Sequence, residues 1–415
     1  MRSYAKLAWR NIWRNTRRTV LTILAVAFGI LLIVVMRGMQ YGSYAEMIAT
    51  AVKRSSGHIQ VHANGYWEKK TLKYAFPIAD ADTAAIAALP HVTHLSPKLV
   101  ADALVGAGTE NTTGAQVVGV IPSREQAMTV FAEKRVMEEG AFLADNDTTG
   151  ALIGRTMAKN LKAKLGDELM LFTQARDGSM AAALLTVRGI FHVGEPEMDG
   201  YTVIAHLAMM QNVLAAQGRA TAIAMTVDDV RNVERVVTLL KQRFVGGRPD
   251  SKWEVMSFMQ LLPALMQSIA FDNASGVVFL ILLIVVIAFG ILNTILMSVM
   301  ERFHEFGMMM ALGMRTRAIA GMVFLEGLFL SFVGLVIGNL GGYAINAWWQ
   351  SHPIRLEMGQ EIYESYGFDP VLIAVPDLNQ QFVWSAVMLG LTLLVAMWPA
   401  WTAMRFRPVE AIRQV

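Results

Sequence analysis

Four long apolar runs decide what this chain can fold into. Thr19–Met36, Ala274–Met300 and Phe382–Met404 carry no charged residue, and Ala318–Leu340 carries only Glu326. A helix needs about 20 predominantly apolar residues to cross the hydrocarbon core of a bilayer, and each run meets that length within a turn or so. Only 17% of the 415 residues are charged and 54% are hydrophobic, whereas a soluble globular chain carries about a quarter charged residues. The apolar excess is confined to these four blocks, and the stretch between the first and second reads as a water-soluble domain. The first run is too long, and lacks the small-residue cleavage site, to be a removable signal peptide.

Lysine and arginine beside the span ends set the orientation. Arg2, Lys6, Arg10, Arg14, Arg17 and Arg18 precede the first span, Arg302, Arg315 and Arg317 separate the second from the third, and Arg405, Arg407 and Arg413 follow the fourth. Four crossings place all three clusters on one side, so both termini are expected in the cytoplasm. The expected organisation is a cytoplasmic amphipathic segment 1–18, spans at 19–40, 273–300, 318–345 and 382–404, an external domain with stalk helices at 41–272, a cytoplasmic segment 301–317, an external loop 346–381 and a tail 405–415. In the first segment Ala5, Trp9, Ile12, Trp13 and Thr16 share a helical face beside a stripe of Lys6, Arg10, Arg14 and Arg17. That pattern suits a helix in the membrane interface, and equally a basic anchor that fixes topology.

The external domain mixes both periodicities. Gly57–Ala63, Leu99–Gly106, Ala115–Ile121, Leu169–Thr173, Leu184–Phe191, Ala222–Val227 and Trp253–Phe258 read as strands. Asp82–Leu89, Thr156–Leu165 (closed by Gly166 and Asp167) and Val230–Phe244 read as helices. The domain is therefore expected to be α+β, with a second lobe inserted into the first. Arg37–Val52 and Met256–Phe271 are expected to be helical stalks running out of the first span and into the second.

Several chemistries are excluded. The chain has no cysteine, so it offers no thiolate nucleophile, disulfide or thiolate metal site. It has no Gly-Lys dipeptide and thus no G-x-x-x-x-G-K-[ST] phosphate loop, and no G-x-S-x-G or H-E-x-x-H. A net charge of +3 does not point to nucleic acid. His58 and His62 lie four apart and His91 and His94 three apart, but no further ligands accompany them, so packing or surface roles are expected rather than zinc. Glu326 is the only carboxylate within a span; pairing with Arg302 or Arg315 is the expected reason for it, ahead of a proton-coupled role. Among the 27 methionines, Met36, Met39, Met47, Met256, Met259 and Met266 fall on the stalks or at their membrane ends. They suit either ordinary filling or an adaptable greasy surface.

The stretch 293–326, NTILMSVMERFHEFGMMMALGMRTRAIAGMVFLE, closely resembles the core of the FtsX-like permeases. LAWRNIWRNTRRTVLTILAVAFG at Leu7–Gly29 is similar to that family's entry. WPAWTAMRFRPVEAIR at Trp398–Arg413 is similar to its exit, with Pro399, Pro408, Glu410, Ala411 and Arg413 in place. The resemblance implies an α-helical membrane protein with four transmembrane helices and an α+β MacB-like periplasmic domain inserted between helices 1 and 2. It implies a bacterial inner-membrane ABC transporter permease that is not itself an enzyme. Glu301, Arg302, Glu305, Gly307, Ala311 and Gly313 would form a short coupling helix seated on an ATPase. The implied partners are two copies of an ABC ATPase, which bind ATP and Mg, a second permease subunit, identical or paralogous, and membrane lipid; this chain binds no cofactor or metal. GHIQVHANGYWE and Gly150–Leu171 look like the Lol-type lipoprotein-releasing permeases, which implies a lipoprotein substrate and a periplasmic carrier. Met36, Met39, Met266, Ile269, Phe271 and Val278 would line the substrate cavity. Two other functions remain open: a MacB-like exporter of peptides or small amphiphiles with an adaptor and outer-membrane channel, and a signalling permease controlling a cell-wall hydrolase.

Overall fold

The computed structural model describes residues 2–108, 111–246, 252–355 and 371–404. The expected tail 405–415, with Arg405, Arg407, Pro408, Glu410, Ala411 and Arg413, lies outside them, as does 356–370 of the expected loop. The chain divides into two units: Met1–Glu46 with Ser268–Arg355 and Val371–Val415, and Met47–Gln267 with Leu356–Pro370.

The first unit is helical. An amino-terminal helix, Arg2–Ile12, turns through a 3₁₀ segment, Trp13–Asn15, into the first apolar helix, Thr16–Ala51. The second apolar helix is Pro263–Glu301, followed by a short helix, Phe303–Ala311. The third is Thr316–Ser351 and the fourth Leu378–Met404. All four long helices are apolar enough to cross a membrane. At 1.5 Å per residue, the 36 residues of the first helix span roughly 54 Å against a hydrocarbon core of about 30 Å. Its helical backbone therefore outruns the expected span 19–40 at both ends. The third helix likewise exceeds the expected 318–345.

Glycine sets how closely these helices approach. Gly334, Gly338 and Gly342 recur every fourth residue and so lie on one face of the third helix. A Cβ on Gly338 would sit 1.8 Å from Ile30 Cγ2 and 2.4 Å from the Ala27 carbonyl oxygen. One on Gly334 would sit 2.6 Å from Val26 Cβ, and one on Gly342 2.7 Å from Val34 Cγ1. Backbone therefore lies against side chain with nothing between, the small-residue packing that lets helices associate where lipid supplies no hydrophobic drive. One turn further on, buried Asn346 donates from Nδ2 to the Val34 carbonyl at 2.9 Å. Asn339 and Ser385 exchange hydrogen bonds of 2.8 and 3.0 Å between the third and fourth helices.

The amino-terminal helix, whose expected face is Ala5, Trp9, Ile12, Trp13 and Thr16, packs against the third apolar helix. Ala8 and Ile12 are buried, whereas Trp9 and Trp13 stay half exposed. Trp9 meets Phe329 of the third helix edge-on at 5.6 Å, and Asn11 reaches Met322 Sδ at 3.5 Å. The helix is thus anchored on the third apolar helix.

The second unit is α+β. Its strands are β1 (Ile59–Ala63), β2 (Phe76–Pro77), β3 (Val92–Ala107), β4 (Asn111–Val120), β5 (Met137–Gly140), β6 (Gly150–Gly154), β7 (Glu168–Gln174), β8 (Met180–Phe191), β9 (Thr202–His206), β10 (Arg219–Ala220), β11 (Ala222–Val227) and β12 (Trp253–Ser257). The main sheet runs β12-β1-β11-β3-β4-β9-β6-β8-β5, with β7 bridging β3 and β8. β3 joins two lobes: its first half pairs with β11, its second with β4 and β7. The second lobe is inserted in the first, as the sequence suggests. One core gathers Ile59, Val61, Ile223, Val236 and Val255. Ile48 and Val52, from the end of the first apolar helix, and Leu262 and Met266, from the entry to the second, pack on it. A second core fills the inserted lobe around Leu99, Val117, Ile153, Leu171 and Val203.

Several boundaries move for local reasons. The helix expected over Thr156–Leu165 stops at Leu161, because Lys162 turns left-handed (φ 55°) and the Ala163 amide closes back on the Ala158 carbonyl at 2.9 Å. That turn sends Ala163 into the core beside Leu161. The helix expected over Val230–Phe244 is a 3₁₀ turn, a helix at Val233–Leu240 and a π-turn at Lys241–Val245. Met256 and Ser257 belong to β12 rather than to a stalk: Ser257 and Gln260 form a reciprocal cap on Phe258–Leu261, and the long helix restarts only at Pro263. Proline has no amide hydrogen and tolerates only a first-turn position, so a single helix from Met256 is ruled out. His58 accepts the Val227 amide at 3.3 Å, while His62 is buried in the sheet.

The helix contact yields a prediction. Gly338→Ala should cost about 1–3 kcal/mol through overpacking and lower the thermal unfolding temperature in detergent. Gly290→Ala, where a Cβ meets nothing within 4 Å, should be neutral or gain up to ~1 kcal/mol of helix propensity. Equal unfolding temperatures for the two variants, followed by tryptophan fluorescence, would refute the contact.

Candidate functional site

The expected coupling residues converge where the second and third apolar helices are joined. One charge there opposes its helix dipole. Arg18 lies on helical backbone that is continuous from Ile12 through Thr16, whereas Glu301 is the last residue of the second apolar helix. A carboxylate at a helix end is disfavoured by about 0.3–1 kcal/mol. The two meet at 2.6 Å, and Arg18 also donates to Ser298 Oγ at 2.6 Å. The pairing relieves the Glu301 charge.

Arg302 interrupts the helix and becomes the hub. Its backbone leaves helical geometry (φ −104°, ψ 15°), and its side chain is 9% exposed. Nη1 donates to both Glu326 oxygens, at 3.0 and 3.3 Å, and Nε to Glu305 at 3.2 Å. Its guanidinium also sits 5.2 Å from the Phe306 ring centre. Glu326 is thus a partnered charge, one of the two pairings expected for it. Arg14 also pairs with Glu305, and that hydrogen bond holds the Glu305 carboxyl below the usual glutamate range. Arg14, Glu305, Arg302 and Glu326 consequently tie the segment before the first helix, the short helix and the third helix into one network.

Phe303–Ala311 buries Phe306, Gly307 and Met310. Its end is a complete Schellman turn: Gly313 is left-handed (φ 91°), its amide bonds to Met310 O at 3.0 Å, and the Met314 amide bonds to Met309 O at 3.0 Å. Only a residue without Cβ takes that conformation freely. Ala311 and Gly313 are exposed, and between them Leu312 is 89% exposed, with Met308 half exposed one turn back. The short helix thus ends in an exposed apolar tip. Its sequence signal was available, since apolar residues at a sharp glycine turn have no partner within such a short element.

The expected cavity residues lie on the first two apolar helices. Met36 and Met39 lie on the first apolar helix, the former 40% exposed. Ile269, Phe271 and Val278 lie on the second, with Phe271 76% exposed and Val278 58% exposed. Met266 packs on the α+β core. A cluster the sequence reading missed joins the first two helices at the other end. Buried Arg37 donates to Gln40 at 2.5 Å, Asn273 at 3.0 Å and Tyr41 at 3.2 Å, and lies 5.2 Å from the Trp384 ring. Tyr44 and Gln40 both donate to Asp272 Oδ2, at 2.7 and 2.9 Å. Among the described residues no cluster of three or more histidines or carboxylates is placed to hold a metal ion.

Comparison with known proteins adds family likeness to this geometry. A family model described as a MacB-like periplasmic core domain matches residues 19–243, and one described as an FtsX-like permease C-terminal region matches residues 277–408. The lipoprotein-releasing system transmembrane protein LolC of Xylella fastidiosa is 22% identical over 94% of this chain and 92% of its own length. The macrolide export ATP-binding/permease protein MacB of Hyphomonas neptunium is 24% identical over 98% of this chain and 60% of its own length. The solved periplasmic region of MacB from Actinobacillus actinomycetemcomitans matches 50% of this chain and 92% of its own, at 13% identity and a TM-score of 0.35.

The hub predicts a contrast between variants. Glu326→Gln leaves Arg302 paired with Glu305 and should cost about 1–3 kcal/mol, whereas Arg302→Met with Glu326→Leu should fall near wild type. Thermal unfolding of the detergent-solubilised protein measures both, and a double variant as unstable as the single one would contradict a buried pair.

Proposed function

This chain belongs to the MacB-like and FtsX-like family of ABC transporter permeases, and on that footing we propose that it transmits force from a separate ATPase to release or move lipoproteins from the outer leaflet of the inner membrane. The observation that carries the reading is the short helix Phe303–Ala311, held by Glu305, Arg302 and Glu326 and presenting Met308 and Leu312 outward. An exposed apolar tip suits a groove on a soluble ATPase, and the salt-bridge network gives a push there a path into the first and third helices. The basic clusters put this end in the cytoplasm, with spans at 19–40, 273–300, 318–345 and 382–404 and the α+β domain inserted in the periplasm between the first two. Two permease subunits, identical or paralogous, would assemble with two ATPase subunits, which supply ATP and Mg. The near-complete coextension with LolC supports a lipoprotein cargo over the alternatives.

Energetics constrain the step. Acyl burial is worth about 0.8 kcal/mol per CH₂, so moving several chains into water would cost on the order of tens of kcal/mol. The cargo must keep apolar company throughout. Met36, Met39, Met266, Ile269, Phe271 and Val278 are proposed to supply it, and a periplasmic carrier to receive it. Similarity to a macrolide exporter across 98% of the chain favours a second reading, export of peptides or small amphiphiles with an adaptor.

Purification of the tagged protein from its own membrane separates the two by mass spectrometry. An ATPase with acylated lipoproteins supports release; an ATPase with an adaptor and outer-membrane channel, and no lipoprotein, supports export. Within either complex, Glu301→Ala or Gly307→Leu should leave ATP hydrolysis running while transport falls at least about tenfold. Undiminished transport in both variants would sink the coupling assignment.

A further inference from the structure

Two buried polar side chains in the α+β unit face one hollow and lack hydrogen-bond partners. Glu125 is only 3% exposed; its Oε1 accepts from Lys98 at 2.7 Å, but its Oε2 is buried with no partner among the described residues. His62 is 1% exposed, and neither ring nitrogen has a partner there. Buried polar groups are almost always hydrogen-bonded. Both side chains line the same cavity of about 250 Å³. That volume is just below the usual range of small-molecule sites, about 300–1,000 Å³.

Strand register explains the space between them. Side chains alternate along a strand, so directly paired residues form rows across a sheet face. His62, Ala222 and Lys98 make one row, and Val100, Val118 and Ile204 the next. Ala222 contributes only a methyl group between two long polar neighbours, so the hollow lies over it. His62 and Lys98 are two strands apart, about 10 Å at the usual strand spacing. One end of the hollow therefore belongs to His62 and the other to the Lys98–Glu125 pair. The wall at the His62 end is aromatic: Tyr66 and Trp67 lie 5.0 and 5.8 Å from its ring, and Phe131 lines the same space.

Charge pairing decides which polar groups suit the two ends. Lys98 is neutralised by Glu125. Arg54, which also lines the hollow, lies 3.7 Å from Glu195 and donates to the Val193 carbonyl at 3.2 Å. Lys70 is exposed, with its ammonium 4.6 Å from the Trp67 ring centre, so water screens its charge. Neither sign is in surplus inside the hollow, and an ion entering it would leave water without a counter-charge. Glu125 Oε2 lacks a donor, which a hydroxyl or an amide supplies without charge. Burial pushes the His62 pKa down to about 4, so at neutral pH its uncharged ring offers one N–H donor and one acceptor.

We propose that this hollow binds an uncharged molecule with a polar group at each end. One end donates a hydrogen bond to Glu125 Oε2, the other meets the His62 ring, and the apolar middle lies against Trp67 and Phe131. The site stands independently of the transport reading. The test is equilibrium dialysis of radiolabelled tyrosol, an aromatic ring with a hydroxyl at each end, against the full chain in lipid nanodiscs, with empty nanodiscs as the blank. Unlabelled competitors of matching size are tyrosol dimethyl ether, which keeps both oxygens but has no donor, the cation tyramine and the anion 4-hydroxyphenylacetate. Saturable tyrosol binding is expected, with each of the three competing at least about tenfold more weakly than unlabelled tyrosol. Lys98→Met with Glu125→Met removes the acceptor and its counter-charge together at similar volume, and should shrink the preference for tyrosol over the ether severalfold. Absence of saturable binding, which leaves the hollow to water, overturns the proposal. So does equal competition by the ether or by either ion, or a preference unchanged in the double variant. Should the double variant fail to fold, the comparison of competitors on the wild type decides alone.

Discussion

The helical unit depends on backbone lying against side chain along the Gly334, Gly338 and Gly342 face. In water, burying Ile30 would drive two helices together; in lipid it would not, because hydrocarbon is as apolar as isoleucine. What remains is dispersion at close range, which falls away steeply with a gap of even half an ångström. The glycine face removes that gap where Val26, Ile30 and Val34 press in. Only at such proximity can Asn346 reach the Val34 carbonyl, satisfying a buried amide donor from the neighbouring backbone. The same contact fixes the first apolar helix against the third, and with it the positions from which Arg14 and Arg18 meet their carboxylates.

Those carboxylates show why charge is retained in so apolar a region. Glu301 would be unfavourable at its helix end, and Arg302 would be costly if buried alone. Paired, they contribute little net stability relative to well-packed apolar residues of the same volume. They contribute specificity instead: the short helix has one register in which Glu305 serves both Arg14 and Arg302 while Arg302 also serves Glu326. A slip of one residue would strand at least one charge.

The sequence was most legible where physics is local. Uncharged length identified the four long helices, and short strand-like runs located β1, β4, β7 and β11. The coupling residues were read through their match to a family stretch, and the structure joins Arg302 and Glu305 in one network, with Glu301 paired separately to Arg18. Partners from distant positions were harder to read, because Arg14 and Glu305 lie 291 residues apart. β6 was missed because Gly150–Gly154 is short and begins and ends on glycine, a residue that strands disfavour. β9 runs parallel to β4, a pairing with no hairpin turn to announce it. The glycine face was legible in principle, in the four-residue spacing of Gly334, Gly338 and Gly342, but its meaning needs the valines and isoleucine that it meets. The cavity over Ala222 required strand register, which no single segment encodes.

The two long helices that flank the α+β unit enter its core by different means. The first runs from Thr16 to Ala51 without a proline and continues through a π-turn, so Ile48 and Val52 reach the core on unbroken helix. The second is separated from its core anchor, Phe258, by a break at Leu262 (φ −121°, ψ 58°), and restarts at Pro263. A continuous ladder of hydrogen bonds runs through the first attachment, whereas the one-residue break at Leu262 interrupts it in the second.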